Sequence, residues 1–245
     1  MLGLNDKGCD AGRMIARLLA LALLTLPFAA QAAEHRYTFG SYDRVRIEGP
    51  FEVHITTGAS PGALATGDPR MIEGLDIAVQ GSTLIVRMGH QGWGETPAGA
   101  AAPAPVITLT TPGLSAAFVN GGARVTIQGM KAQRVDLSVN GSGMVTVNGA
   151  DTDQLFATIV GAGTMTLSGR AARARLVTNG AGNVDATALV VNDLAILQDG
   201  TGETRAAARY TAQVNATGLG HVVVTGKPKC LVHAAAGGPV ECGAP

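Results

Sequence analysis

Between Gly121 and Gly226 apolar and polar residues alternate in short blocks, and the blocks recur. Each opens on a small-residue corner: NGGAR, NGSGMV, VGAGTM, NGAGNV, DGTGET and TGLGHV. Their first glycines are Gly121, Gly141, Gly161, Gly180, Gly200 and Gly218, spaced 20, 20, 19, 20 and 18 residues apart. A fixed period near this length marks a solenoid, in which each repeat is one unit stacked on its neighbours. Four residues after the glycine stand Val125, Val145, Met165, Val184, Thr204 and Val222; six after stand Ile127, Val147, Leu167, Ala186, Ala206 and Val224. The positions between are Thr126, Thr146, Thr166, Asp185 and Arg205, with Val223 as the apolar exception. Alternation with period two predicts a half-buried strand after each corner. A second strand precedes it. Its inward columns are Leu137, Ala157, Leu176, Ile196 and Val214, and then Val135, Leu155, Ala174, Leu194 and Ala212.

Two strands and a glycine corner per coil predict an all-β, single-domain parallel β-helix (a β-solenoid) with coils of about 20 residues over about 116–229. An antiparallel sandwich also spaces its strands regularly, but it does not keep one corner chemistry in register over six units. Glycine allows the corner a positive φ. Asn120, Asn140 and Asn179, with Asp199 near the end, precede the glycine and are expected to hydrogen-bond from coil to coil. A second corner falls at Gly129, Gly149, Gly169 and Gly226, with Ala188 and Ala208 in place of glycine in two coils. Upstream, DRVRIEGPFEVHITTG gives two strands around Gly49-Pro50, and STLIVRM and PVITLTTPGL give two more. Residues 89–105, rich in Gly, Ala and Pro, read as a surface loop carrying the lone Trp93, which serves as a contact residue or folds back onto the solenoid.

The composition agrees with a thin core of small side chains: 4% of residues are aromatic, 15% are charged and 34 are glycine. A formal net charge of zero, with no Lys/Arg run, gives no electrostatic reason for nucleic acid. Before the repeat lies an export signal. Arg13 and Arg17 precede the apolar run Leu18–Ala30, and Ala30-Gln31-Ala32 has the small-x-small form of a cleavage site. Residues 1–32 are therefore expected to be a signal peptide, with translation starting at Met1 or Met14, and 33–245 the exported solenoid. The alternative is an interfacial anchor helix. The run is too short to span a bilayer comfortably, and no integral membrane segment is expected after cleavage. Cys230 and Cys242 remain, in a segment 230–245 expected to cap the C-terminal end. An exported chain with two nearby cysteines points to a disulfide, the alternative being two separate thiols.

The run VRIEGPFEVHITTG, then GSTLIVRM, then TLTTPGLSAAFVNGGARVTIQG followed by serial NGSGxVTVNG units resembles the head GIN domain family, whose members are labelled auto-transporter adhesins. The resemblance covers about Tyr37 to Lys227. It implies an exported right-handed β-helix; the handedness comes from the resemblance alone. It supplies no catalytic residues to carry over. An autotransporter's C-terminal membrane barrel is not expected, since the last coils run close to Pro245.

Candidate chemistry is sparse. SxxK and CxxC are absent, and no metal site or cofactor is expected. Polysaccharide-processing solenoids need clustered carboxylates on one outer face. The nearest candidates are Asp185, Glu203 and His221, with Asp185 and Arg205 aligned for a cross-rung ion pair. On the strand before the corner, Phe156, Val177 and Leu197 point outward and form an apolar patch, either a face for a partner or second copy or a surface covered by a loop. The expectation is a non-enzymatic binding or structural module of the bacterial envelope, adhesin-like, in the periplasm or at the cell surface, with a glycan or protein ligand. A polysaccharide-processing enzyme and a homo-oligomeric envelope scaffold are the alternatives.

Overall fold

The structure is a computed structural model that describes residues 33–89, 103–235 and 237–244. The expected signal segment, most of loop 89–105 and Trp93 lie outside the described residues. The strands in chain order are β1 (Ala33–Tyr37), β2 (Arg44–Glu48), β3 (Glu52–Thr57) and β4 (Gly62–Gly67), then a short helix α1 (Pro69–Glu73). They continue with β5 (Leu75–Gln80), β6 (Thr83–Met88), β7 (Val106–Thr111) and β8 (Ala116–Gly121). Four long strands follow, β9 (Arg124–Gly141), β10 (Met144–Gly161), β11 (Thr164–Gly180) and β12 (Asn183–Gly200). The chain closes with β13 (Glu203–Ala216), β14 (His221–Gly226), β15 (Lys229–Ala234) and β16 (Val240–Ala244).

The β-solenoid expected from the repeat is what forms. Strands β9 to β13 pair in parallel, each on the coil before it. One long strand is one whole coil, bent at the second corner, so a single continuous hydrogen-bonded ladder makes two faces. On the first face the order is β1-β4-β7-β3 and then the first legs of β9 to β13, ending β14-β16. On the second it is β5-β6-β2-β8 and then the second legs, ending at β15. The four inward columns read from the sequence are buried along their length, from Val125 to Val224 and from Val135 to Val214. Alternation is what puts them there, because successive side chains of a strand leave on opposite faces.

The glycine corner is held by backbone, not by the asparagine ladder expected from the sequence. Ser142 N donates to Gly121 O at 3.1 Å, Ala162 N to Gly141 O at 3.0 Å and Thr201 N to Gly180 O at 3.0 Å. Asn140, Asn179 and Asp199 are exposed there. Water satisfies an exposed amide as well as a neighbour does, so a coil-to-coil bond offers it little. The second corner absorbs the uneven spacing. Gly169 faces Ala150, not Gly149, and Leu189, not Ala188, faces Gly169. Ala208 is aligned with Val191 and Gly226. Residues are gained and lost only at this bend, while Gly141, Gly161, Gly180 and Gly200 stay in register.

The two ends differ. At the N-terminal end the pairing turns antiparallel, β1 on β4 and β5 on β6, and α1 links the faces with Ile72 buried. Asp68 caps α1 by accepting from Arg70 N at 2.9 Å, and Pro69 follows it. At the C-terminal end β15 and β16 continue in parallel register on β13 and β14. The segment expected to cover this end is therefore one more coil. Cys230 aligns with inward Ala212 and Cys242 with inward Val224, and a disulfide joins them.

One polar cluster sits inside the core. Thr178 and Gln198 continue the column of Val119, Val139 and Ile159. Gln198 is fully buried; its Nε2 donates to Gly202 O at 2.9 Å, and the Thr204 hydroxyl donates to its Oε1 at 2.6 Å. In the next coil the column continues with small, buried Ala216. Thr204→Val strands the buried Oε1, so urea unfolding should register a loss of about 1–3 kcal/mol. The double variant Gln198→Leu, Thr204→Val should recover much of it. Equal losses in the two variants would show that this pairing is not what stabilises these coils.

Candidate ligand-binding face

The outward columns of the second face form a ruled surface. The parallel register aligns Arg134, Gln154, Arg173, Asp193 and Thr211 in one row. The next row is Asp136, Phe156, Arg175, Ala195 and Gln213, and the third is Ser138, Thr158, Val177, Leu197 and Asn215. Phe156, Val177 and Leu197 are brought onto one face, as read from the sequence, but they are half-buried rather than open. Over Phe156 lies the Arg134 guanidinium, its Cζ 4.1 Å from the ring centroid. Arg134 is fixed by Asp136, which accepts from Nε and Nη2, both at 2.9 Å. That hydrogen bond leads the causes that raise the guanidinium pKa above its ordinary value.

Beyond Phe156 the face dips. A groove of about 320 Å³ runs past Phe156, Arg173, Arg175, Ala195, Asp193 and Gln213. A smaller depression of about 120 Å³ adjoins it at Arg175, Leu197, Gln213 and Asn215. Arg173 and Arg175 make no ion pair with any described residue. Asp193 accepts from the Thr211 hydroxyl at 2.6 Å. The sequence reading singled out the apolar members and missed the arginines. The signal was present: Arg134 and Arg173 share one outward column, and Arg175, two residues on from Arg173, stands in the next.

The first face carries the other candidates. Asp185 and Arg205 are aligned, but no ion pair joins them. Asp185 instead accepts from Thr187, from the hydroxyl at 2.7 Å and the backbone N at 3.1 Å. The Thr187 hydroxyl, then its N–H, hold the Asp185 carboxyl below the usual carboxylate range. Arg205 turns to Glu203, Nη2 to Oε1 at 2.9 Å. His221 Nδ1 lies 3.4 Å from the same oxygen, and His221 Nε2 is 3.8 Å from Glu241. A general acid must keep a proton near neutral pH, and the surroundings of Asp185 work against one. Glu203 has its carboxylate committed to Arg205. Asp185, Glu203 and His221 line neither the groove beside Phe156 nor the depression that adjoins it. No group of three or more His, Cys, Asp or Glu side chains among them is placed to hold a metal ion.

Fold and face together define a β-solenoid of stacked coils whose outer rows, rather than an enclosed pocket, carry its distinctive side chains. The chain belongs to the family described as "Putative auto-transporter adhesin, head GIN domain", which it matches over residues 41–228. It is similar to a crystal structure described as a putative adhesin from Bacteroides fragilis, with 19% identity and a TM-score of 0.73 over 88% of this chain and 95% of that one. A putative adhesin from Parabacteroides merdae matches with 18% identity and a TM-score of 0.64 over 87% and 96%. A protein from Parabacteroides distasonis described as a putative lipid binding protein matches with 16% identity and a TM-score of 0.65 over 88% and 95%. At these identities the likeness is one of fold. No curated protein matches the chain significantly.

Proposed function

We propose that the chain is an exported, non-enzymatic binding module of the bacterial envelope, adhesin-like, that engages its ligand through the ruled outer surface of the second face. The observation that carries this reading is the groove beside Phe156, where two arginines without an ion pair among the described residues share one surface with a half-buried aromatic ring. The family description supports a binding role at the cell envelope. The names of similar structures, adhesin in two cases and lipid binding in a third, point the same way. No helix among the described residues is long and apolar enough to cross a membrane.

Fractionation of producing cells tests export. The chain should appear in the envelope or the medium with Ala33 at its N-terminus, and deletion of residues 1–32 should hold it in the cytosol. A chain that stays cytosolic with residues 1–32 attached overturns the reading. Protease treatment of intact cells, with a periplasmic control protein, then separates surface display from the periplasm. Turnover of an envelope or plant glycan that Glu203→Gln abolishes would replace this reading with an enzymatic one.

A further inference from the structure

We propose that the second face binds an acidic polysaccharide, laid across the coils from Phe156 to Asn215, with its anionic groups on Arg173 and Arg175. The proposal rests on the binding-module reading and names the ligand class. Arg173 and Arg175 are two residues apart on one strand, so both side chains leave on the same side, about 7 Å apart. Neither makes an ion pair with a carboxylate among the described residues; Asp193, the one acid lining the groove, is aligned with Arg173 and accepts from the Thr211 hydroxyl at Oδ1. Two free guanidiniums beside one another suit carboxylate or sulfate groups that repeat along a polymer.

The rest of the groove suits sugar. Phe156 lines the groove with one ring face covered by the Arg134 guanidinium, and its uncovered apolar surface is what it offers to the C–H groups of a pyranose. The side-chain amides of Gln154 and Gln213 make no hydrogen bond to a described residue, and Gln213 sits between Arg175 and Asn215. Asn215 Oδ1 is buried without a donor. Buried acceptors are almost always bonded, and a small turn of this amide lets a ligand hydroxyl supply the missing bond. Other polymers fit less well. Nucleic acid presents charge more densely than two arginines meet, and the chain has no net positive charge. An acyl chain calls for an enclosed apolar cavity, whereas this groove is shallow and edged by arginines and amides.

The test is binding of the full chain to immobilised polygalacturonate, with neutral dextran and phosphatidylglycerol vesicles in parallel. Polygalacturonate should bind and weaken as salt rises, and dextran should not bind. Arg173→Gln and Arg175→Gln should each weaken binding about tenfold. Phe156→Leu, which keeps an apolar side chain under Arg134, should weaken it less. Arg209→Gln, an exposed arginine at the second corner, should change nothing. Loss shared equally by Arg209→Gln would show diffuse charge attraction and sink the site. Vesicle binding through Arg173 and Arg175 without polysaccharide binding would overturn the proposal in favour of a lipid headgroup. Envelope localisation with no binding of polygalacturonate overturns the proposal alone; cytosolic retention overturns the parent reading.

Discussion

Gly202→Ala lowers the stability of this protein by about 3 kcal/mol or more, a large effect for one added methyl group. Gly202 is the second glycine of its corner and does not have a positive φ. Conformation alone would admit alanine there. Stacking does not: a Cβ on Gly202 would run into the carbonyl oxygen of Gly182 in the coil below. The same holds up the column, where a Cβ on Gly163 would lie 2.8 Å from Gly143 O and one on Gly182 3.0 Å from Gly163 O. The corner brings backbone onto backbone at the coil spacing of about 4.8 Å. Relief by moving a whole coil breaks ladder bonds such as Gly220 N to Gly200 O at 2.8 Å.

Gly149 gives the contrast. It has φ +79°, and a Cβ there meets nothing within 4 Å. Gly149→Ala should cost only the left-handed strain, about 1–2 kcal/mol. For a chain of this size each kcal/mol moves the thermal midpoint by roughly 2–4 °C. Gly202→Ala should therefore lose several degrees more than Gly149→Ala when the two are melted side by side. An equal or larger loss at Gly149 would show that backbone conformation, not stacking, selects glycine in this fold.

That difference explains what could be read from the sequence and what could not. Inward columns are visible because burial selects apolar residues at period two, and Val145, Leu155 or Leu176 declare themselves on inspection. Glycine at the corner is equally visible, but its cause is not. The sequence suggests a positive φ, which Gly141 and Gly161 have, whereas Gly163 and Gly202 are there for contacts with the coil below. The second corner was misaligned because its glycines look alike in sequence, while register is set by the pairing of flanking strands such as Val147 with Leu167. The candidate face was half legible. Outward direction follows from alternation, so Phe156, Val177 and Leu197 were found. Alternation marks Arg134 as outward too, but its stacking on Phe156 is a contact between neighbouring coils that the pattern does not show. The Asp185–Arg205 pair failed for the converse reason: alignment puts two charges one rung apart, but Thr187 and Glu203 lie closer at hand.

Removing the disulfide should melt the last coil and leave the others standing. β15 is exposed at every residue and β16 pairs only with β14 along its ladder, so among the described residues this coil has a neighbour on one side alone. Its inward residues face the open end, where Val232 is 43% exposed although it continues the column of buried Val214. Little apolar burial therefore holds the two strands. The bond between Cys230 and Cys242 runs from one face to the other through the position that a core side chain would fill. Closing the short loop between them is worth about 3 kcal/mol in the chain-entropy view, comparable to the whole stability expected of one coil. In a solenoid that energy acts locally, because each coil contacts only its neighbours. Cys230→Ser with Cys242→Ser should thus bring the amides of Leu231, Val232 and His233 to fast hydrogen exchange while those of β9 to β12 keep their protection. Cys230→Val with Cys242→Val separates the two roles of the bridge. If the paired valines restore protection, packing at the open end is what matters; if they do not, the covalent tie is. Protection lost evenly through every coil would mean that the solenoid unfolds as one unit and that its last coil is no weaker than the rest.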